Sequence, residues 1–161
     1  MMRMHEMPDE ARVWLYQANR FLSADEVAHI DTKSNDFLAN WTSHGAAMDA
    51  AIGIVHNRIL VVAADEQKSL ASGCGIDKSV RFVQELSQAM GIDFFQRTTV
   101  LYRTDAAWNE AALHHFWAMR KALLVSDDTL VLDTTVRTIG QFRSELEKPF
   151  SRSWHAEMWK R

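Results

Sequence analysis

The only cysteine of this 161-residue chain, Cys74, lies between two glycines and just before an expected helix. Glycine lets another group approach the backbone closely. A helix N-terminus carries free N–H groups and a partial positive charge, which attract anions and favour the thiolate form of a nearby cysteine. The segment therefore predicts an anion-binding pocket, a reactive thiol, or both. The residues expected to bind the ligand are Gly73, Cys74, Gly75, Asp77, Lys78 and Ser79.

A structural role for Cys74 is the competing hypothesis, and the sequence favours it. Free cysteines are often buried as small hydrophobic side chains. The charge of Lys78 and the helix end favour the thiolate, whereas the carboxylate of Asp77 opposes it by an effect of similar size. We therefore expect Cys74 to be at least half buried in a tight Gly-Cys-Gly turn.

A catalytic thiol would need a general base, and His56 and His155 are the two candidates, with Asp77 and Lys78 near the thiol. None of the seven histidines belongs to an H-E-x-x-H motif or to a helical i, i+4 pair. One cysteine also excludes an all-cysteine zinc site and an intramolecular disulfide. We expect no metal and no cofactor.

The same segment approaches a phosphate-binding P-loop, which requires G-x-x-x-x-G-K-[ST]. When Lys78-Ser79 is aligned with the end of that motif, Ser72 and Asp77 occupy the positions of the two glycines. An aspartate beside the lysine would repel a phosphate. We therefore predict neither tight ATP binding nor ATP hydrolysis by this loop.

Composition excludes several classes of protein. Hydrophobic residues make up 47% and charged residues 24% of the chain, which is typical of a globular domain. The formal net charge of -3 is not that of a general nucleic-acid binder. No apolar run approaches the ~20 residues that span a bilayer, and no signal peptide is visible. With its single thiol, the chain is expected to be cytoplasmic, with no nucleic acid or membrane among its partners.

The first hundred residues predict alternating strands and helices. Arg12–Ala18 is expected to form a strand, and a capping box at Ser23-Ala24-Asp25-Glu26 starts a helix that stops at His44-Gly45. The apolar runs 48–55 and 59–64 flank His56-Asn57-Arg58 and predict a β-hairpin, since Asn57 tolerates positive φ.

A second helix is expected from Asp77 to Gly91, followed by a fourth strand over Arg97–Arg103. The order β-α-β-β-α-β predicts an α+β, ferredoxin-like core over residues 11–104: a four-stranded antiparallel sheet with two helices on one face. The methionine-rich residues 1–10 are expected to be a frayed leader, in which the true start methionine stays open.

Residues 105–161 are expected to form a C-terminal αβα appendage that packs on this core as part of a single domain. Leu113, Phe116 and Trp117 begin the apolar stripe of a third helix that continues through Leu124. A short strand over 129–133 and a capped helix from Thr138, which must end before Pro149, follow. The tail carries Trp154 and Trp159, which are expected to dock on the body.

Four segments resemble a family of small bacterial proteins whose members often carry the name "ABC transporter ATPase". They are Ala11–Gln17 (ARVWLYQ), Ala71–Val80 (ASGCGIDKSV), Asp93–Arg97 (DFFQR) and Ser153–His155 (SWH). The resemblance extends from about Ala11 to His155. The family name implies nucleotide binding, and the family has no established mechanism from which residue roles could be transferred.

Three functional hypotheses follow. The first is a non-enzymatic binding or adaptor module with an unknown ligand or protein partner, forming a homodimer if an exposed sheet face or edge is used; it leads because no complete catalytic motif is present. The second is a thiol-dependent enzyme or redox sensor centred on Cys74. The third is a nucleotide-binding protein, as the family name implies.

Overall fold

The computed structural model describes residues 4–43, 45–67 and 73–160, apart from the side chain of Cys74. The chain divides into two compact units, which are described separately. Unit 1 contains Met1–Gln96 and Val136–Phe142, and unit 2 contains Arg97–Thr135 and Arg143–Arg161. The first break therefore comes eight residues before the end of the expected 11–104 core, and the chain later returns to complete unit 1.

Unit 1 is built around an antiparallel sheet of three strands in the order β1-β5-β4. Helices α1 and α2 contribute to one core with residues of this sheet, so both helices cover the same face, as expected. A short β2-β3 hairpin follows α1. The elements are a 3-10 helix Met4–Glu6, β1 Arg12–Gln17, α1 Ala24–Asn40, β2 Thr42–Ser43, β3 Ala46–Ala47, β4 Asp49–Val55, β5 Ile59–Asp65 and α2 Gly73–Met90.

Local sequence explains several boundaries of unit 1. The expected capping box is present: Ser23 Oγ accepts the Glu26 N–H, and the Glu26 carboxylate accepts the Ser23 N–H. The β4–β5 hairpin turns at His56 and Asn57, both with φ of 52°, as a type I′ turn requires. Helix α2 ends before Gly91, whose φ is 62°. Helix α1 ends at Asn40, before the expected stop, and His44 lies outside the described residues.

Unit 2 contains a second antiparallel sheet in the order β7-β6-β8-β9. Its core gathers around Phe116 of α3 and Phe150. Helix α4 (Ile139–Glu145) crosses the division between the units. The other elements are β6 Thr99–Thr104, β7 Ala107–Ala112, α3 Leu113–Lys121, β8 Leu130–Leu132, β9 Glu147–Pro149, a 3-10 helix Phe150–Arg152 and α5 Trp154–Trp159.

The fold is thus α+β with antiparallel sheets, but the ferredoxin-like sheet is not confirmed. The expected fourth strand, now β6, pairs with β7 and β8 and not with β1. Its hairpin partner follows at once through a turn at Asp105, whose φ is 55°. Closing so short a loop costs less entropy than pairing over many residues. The sequence Ala-Trp-Asn-Glu-Ala-Ala of β7 has little strand propensity, which is why the strand was not predicted.

Two terminal segments are packed in their own units. In the described part of the expected leader, Met7 is buried and the carbonyl of Asp9 accepts the Gly140 N–H. The tail forms α5, in which His155 is buried and Trp159 packs against Trp117 at 5.5 Å between ring centroids. The expected docking of the tail is therefore observed within unit 2.

Candidate functional site

The cysteine segment is helical and does not form the expected turn. Helix α2 begins at Gly73, four residues before Asp77, and neither Gly73 nor Gly75 has positive φ. Glycine is a poor helix former, so tertiary contacts stabilise this start: Trp41 Nε1 donates to the Gly75 carbonyl at 2.9 Å. Cys74 is therefore in the first turn of the helix, and its side chain lies outside the described part.

The remaining predicted ligand-binding residues are in different environments. Asp77 is exposed. Ser79 is buried, and its hydroxyl donates to the Ile76 carbonyl at 2.7 Å, a hydrogen bond between two residues of α2. Lys78 Nζ donates to the carbonyl of Thr42 at 3.2 Å. Lys78 also lines the groove between α1 and α2.

Within unit 1, the candidate base His56 lies far from the backbone of Cys74. His56 occupies the hairpin turn at the end of β4. Gly75 contacts Trp41, whose carbonyl binds the Met48 N–H at the start of β4. The seven residues of β4 span about 20 Å, so His56 and the backbone of Cys74 lie near opposite ends of that strand. His155 belongs to unit 2.

A groove of about 440 Å³ lies between α1 and α2. Three aromatic residues form its floor: Phe37 stacks on Phe82 at 4.4 Å and contacts Trp41 at 5.3 Å. The other lining residues are Lys33, Asp36, Asn40, Lys78, Arg81 and Glu85. The sequence analysis included only Lys78 of these, although Lys33, Phe37 and Asn40 recur at the spacing of one helix face.

Five charged side chains of the groove are exposed and carry both signs. Helix α1 contributes Lys33 and Asp36, and α2 contributes Lys78, Arg81 and Glu85. Within the described part of the chain, none of these five forms an ion pair. Each wall therefore offers both a cation and a carboxylate to a ligand, and the α2 wall offers a second cation.

Unit 2 contains a mostly buried ion cluster. Lys148 Nζ lies 3.0 Å from Asp133 Oδ2 and 3.2 Å from Glu145 Oε2. Burial alone would raise the pKa of Asp133, but hydrogen bonds from Thr135 and Lys148 outweigh it, and the net pKa is lowered. Burial alone would lower the pKa of Lys148, but Asp133 and Glu145 raise it overall. The cluster joins β8 and β9 at their ends, which is a structural role.

His155 is 2% exposed and stacks on Trp154 at 3.9 Å. Burial lowers the pKa of His155 to about 4, and the negative charge of Asp133 opposes that shift only in part. Among the described residues, neither His155 Nδ1 nor Trp154 Nε1 has a hydrogen-bond partner. His155 is therefore a neutral, packed side chain at neutral pH.

Comparisons of this chain with models of known families, with curated proteins and with solved structures found no match. The family resemblance of the sequence therefore stays a prediction. No described helix has the length and apolar character needed to cross a bilayer. Within the same residues, no three histidine, cysteine, aspartate or glutamate side chains are grouped so that they could hold a metal ion.

Proposed function

We propose that this chain is a cytoplasmic, non-enzymatic binding module, and that its ligand is a peptide segment of mixed charge that occupies the groove between α1 and α2. The observation that carries the proposal is the set of five exposed charges around an aromatic floor. Lys33, Lys78 and Arg81 supply three cations, and Asp36 and Glu85 supply two carboxylates.

The distribution of charge selects among ligand classes. A nucleotide or a purely acidic peptide would meet three cations but would be repelled by Asp36 and Glu85. A peptide that carries both acidic and basic side chains can pair with all five groups. Its apolar side chains can contact Phe37 at the floor, which is only partly buried. Mixed charge therefore favours a peptide over the nucleotide implied by the family name.

The hydrogen bonds at the N-terminal end of α2 also shape the groove. Trp41 is held by the Gly75 carbonyl, and Lys78 is held by Thr42. These bonds fix the first two turns of α2 against the end of α1 and so preorganise one end of the groove. A preformed site loses less entropy on binding than a mobile one.

A peptide-display selection on the immobilised full chain tests the proposal. We expect enriched peptides to carry both acidic and basic residues, and to shift the indole N–H resonance of Trp41 while leaving that of Trp117 unchanged. Lys33→Ala/Arg81→Ala should weaken binding at least tenfold. Lys121→Ala removes an exposed cation from unit 2 and should not.

Three results would contradict the proposal. One is a selection that yields no peptide whose binding depends on Lys33 and Arg81. Another is a preference for poly-glutamate over mixed-charge peptides. The third is ATP shifting the Trp41 resonance at lower concentration than the best peptide, which would favour the nucleotide-binding hypothesis.

A further inference from the structure

We propose that the peptide bound in the groove is an α-helix that lies along α1 and α2, an inference that rests on the proposed function because it concerns the same groove. This ligand helix presents an apolar side chain to the aromatic floor and charged side chains to both walls.

The two walls of the groove run in opposite directions. Trp41, which directly follows α1, donates to the carbonyl of Gly75 near the start of α2. Phe37, one turn earlier on α1, stacks on Phe82, which lies two turns further along α2. The start of α2 therefore lies beside the end of α1, and the stacked rings mark the middle of the groove.

The five charged residues occupy three levels along the helix axes. Lys33 and Glu85 lie on opposite walls, about 5–6 Å to one side of the stacked rings. Asp36 and Arg81, also on opposite walls, lie within about 2 Å of the level of the rings, and Lys78 lies about 6 Å to the other side. At the first two levels a cation therefore lies across the groove from a carboxylate, and neither is ion-paired within the described part of the chain.

The backbone of the walls favours a helical ligand over an extended one. Both walls are helices, whose interior N–H and C=O groups bond to one another. The Asn40 amide, which also lines the groove, donates to the carbonyl of Asp36. An extended peptide over the aromatic floor would bury N–H and C=O groups without partners, which costs free energy. Strand addition uses a free sheet edge, whereas a helix satisfies its own backbone groups.

Helical spacing also matches the charges of the walls. Lys78, Arg81 and Glu85 recur along α2 at intervals of three and four residues, as the lining positions 33, 36 and 40 do along α1. A ligand helix has the same rise of about 1.5 Å per residue, so side chains at these intervals on each flank reach successive groups of each wall. The flank beside α2 is expected to carry two acidic residues and a basic one, and the flank beside α1 one residue of each sign.

The tightest-binding peptide of the display selection whose binding requires Lys33 and Arg81 is the probe for its own conformation. Labelled with carbon-13, it should show helical backbone chemical shifts when bound to the full chain. A central residue whose alanine variant binds normally should be replaced with proline. This proline variant should bind at least tenfold more weakly, because proline breaks a helix, and the alanine variant is the matched control.

Double-mutant cycles between the chain and this peptide measure the spacing of its charges. Lys78 and Glu85 belong to one wall and are seven residues apart, or about 10 Å along the helix. In a helical ligand, the acidic residue coupled to Lys78→Gln and the basic residue coupled to Glu85→Gln should be about seven positions apart. In an extended peptide, which advances about 3.3 Å per residue, they would be about three positions apart. Lys121→Gln, an exposed cation of unit 2, should couple to no residue of the peptide.

Three results would overturn the helical ligand. They are extended backbone chemical shifts in the bound peptide, unchanged affinity of the proline variant, and charges coupled to Lys78 and Glu85 that are only about three positions apart. In each case the groove still binds a peptide of mixed charge, so the proposed function survives. If no selected peptide requires Lys33 and Arg81, the proposed function fails, and the helical ligand fails with it.

Discussion

Acidification should destabilise this protein through His155, which is buried without a hydrogen bond to Nδ1. Burial lowers the pKa of His155 to about 4, whereas the unfolded chain keeps the ordinary value of about 6.5. Between these values the unfolded chain binds more protons, so stability is complete above pH 6.5 and falls as the pH drops towards 4. At about 1.4 kcal/mol per pKa unit, full protonation of the unfolded and folded chains lowers the free energy of unfolding by about 3 kcal/mol. About 2 kcal/mol of this is lost between pH 7.5 and pH 5.

Urea denaturation at those two pH values measures the effect. Four of the six tryptophans belong to unit 2, so intrinsic fluorescence reports mainly on the unit that contains His155. The lowered pKa values of Glu26 and Asp133 act mainly below pH 5, and the raised pKa of Tyr16 acts above pH 9. His155 should therefore dominate the change in this window.

The substitution His155→Gln should abolish most of the difference between the two pH values, whatever it costs in absolute stability. His29→Gln alters an exposed histidine of α1 and should leave the difference as in the wild type. If His155→Gln loses as much stability on acidification as the wild type does, the burial argument is refuted.

Three further predictions concern stability. Leu123→Gly should raise the free energy of unfolding by up to about 1 kcal/mol and the melting temperature by about 2–4 °C, because it relieves positive φ and removes an exposed side chain; a lower melting temperature would contradict the strain. Ser23→Ala should cost about 1 kcal/mol in urea denaturation, since the Glu26 N–H loses its acceptor; an unchanged midpoint would show that water replaces the cap. Asp133→Ala should lower the free energy of unfolding by about 3 kcal/mol, because it leaves the buried ammonium of Lys148 without this partner. In a Lys148→Met background the same substitution should cost clearly less, which a double-mutant cycle measures. Equal costs in the two backgrounds would show that the two groups are uncoupled.

Local signals of the sequence predicted local structure well. The capping box at Ser23 and Glu26, the positive φ at Asn57 and the helix stop at Gly91 depend on neighbouring residues alone, and all three were confirmed. The tail docked for an equally simple reason, since tryptophan buries a large apolar area when a partner such as Trp117 is available.

Features that depend on distant contacts could not be read from the sequence. Gly73 begins a helix because Trp41 and Thr42 bind residues in the first two turns of α2, which no local propensity reveals. The groove was missed because its two walls lie far apart along the chain, with Asn40 the last lining residue of α1 and Lys78 the first of α2. Leu123 continued the apolar periodicity of α3, but the helix ends at Lys121 and the leucine faces solvent.

The return of residues 136–142 to unit 1 has a consequence for biosynthesis. Strand β1 is an edge strand, and the Val13 N–H bonds to the Arg137 carbonyl, while the Ala11 carbonyl accepts the Ile139 N–H. A growing chain on the ribosome exposes this edge from the moment β1 forms until residue 139 has left the exit tunnel. Unpaired edges attract foreign strands, so the nascent protein is most vulnerable to aggregation while unit 2 is being translated. Slow codons in that stretch should therefore reduce the soluble yield.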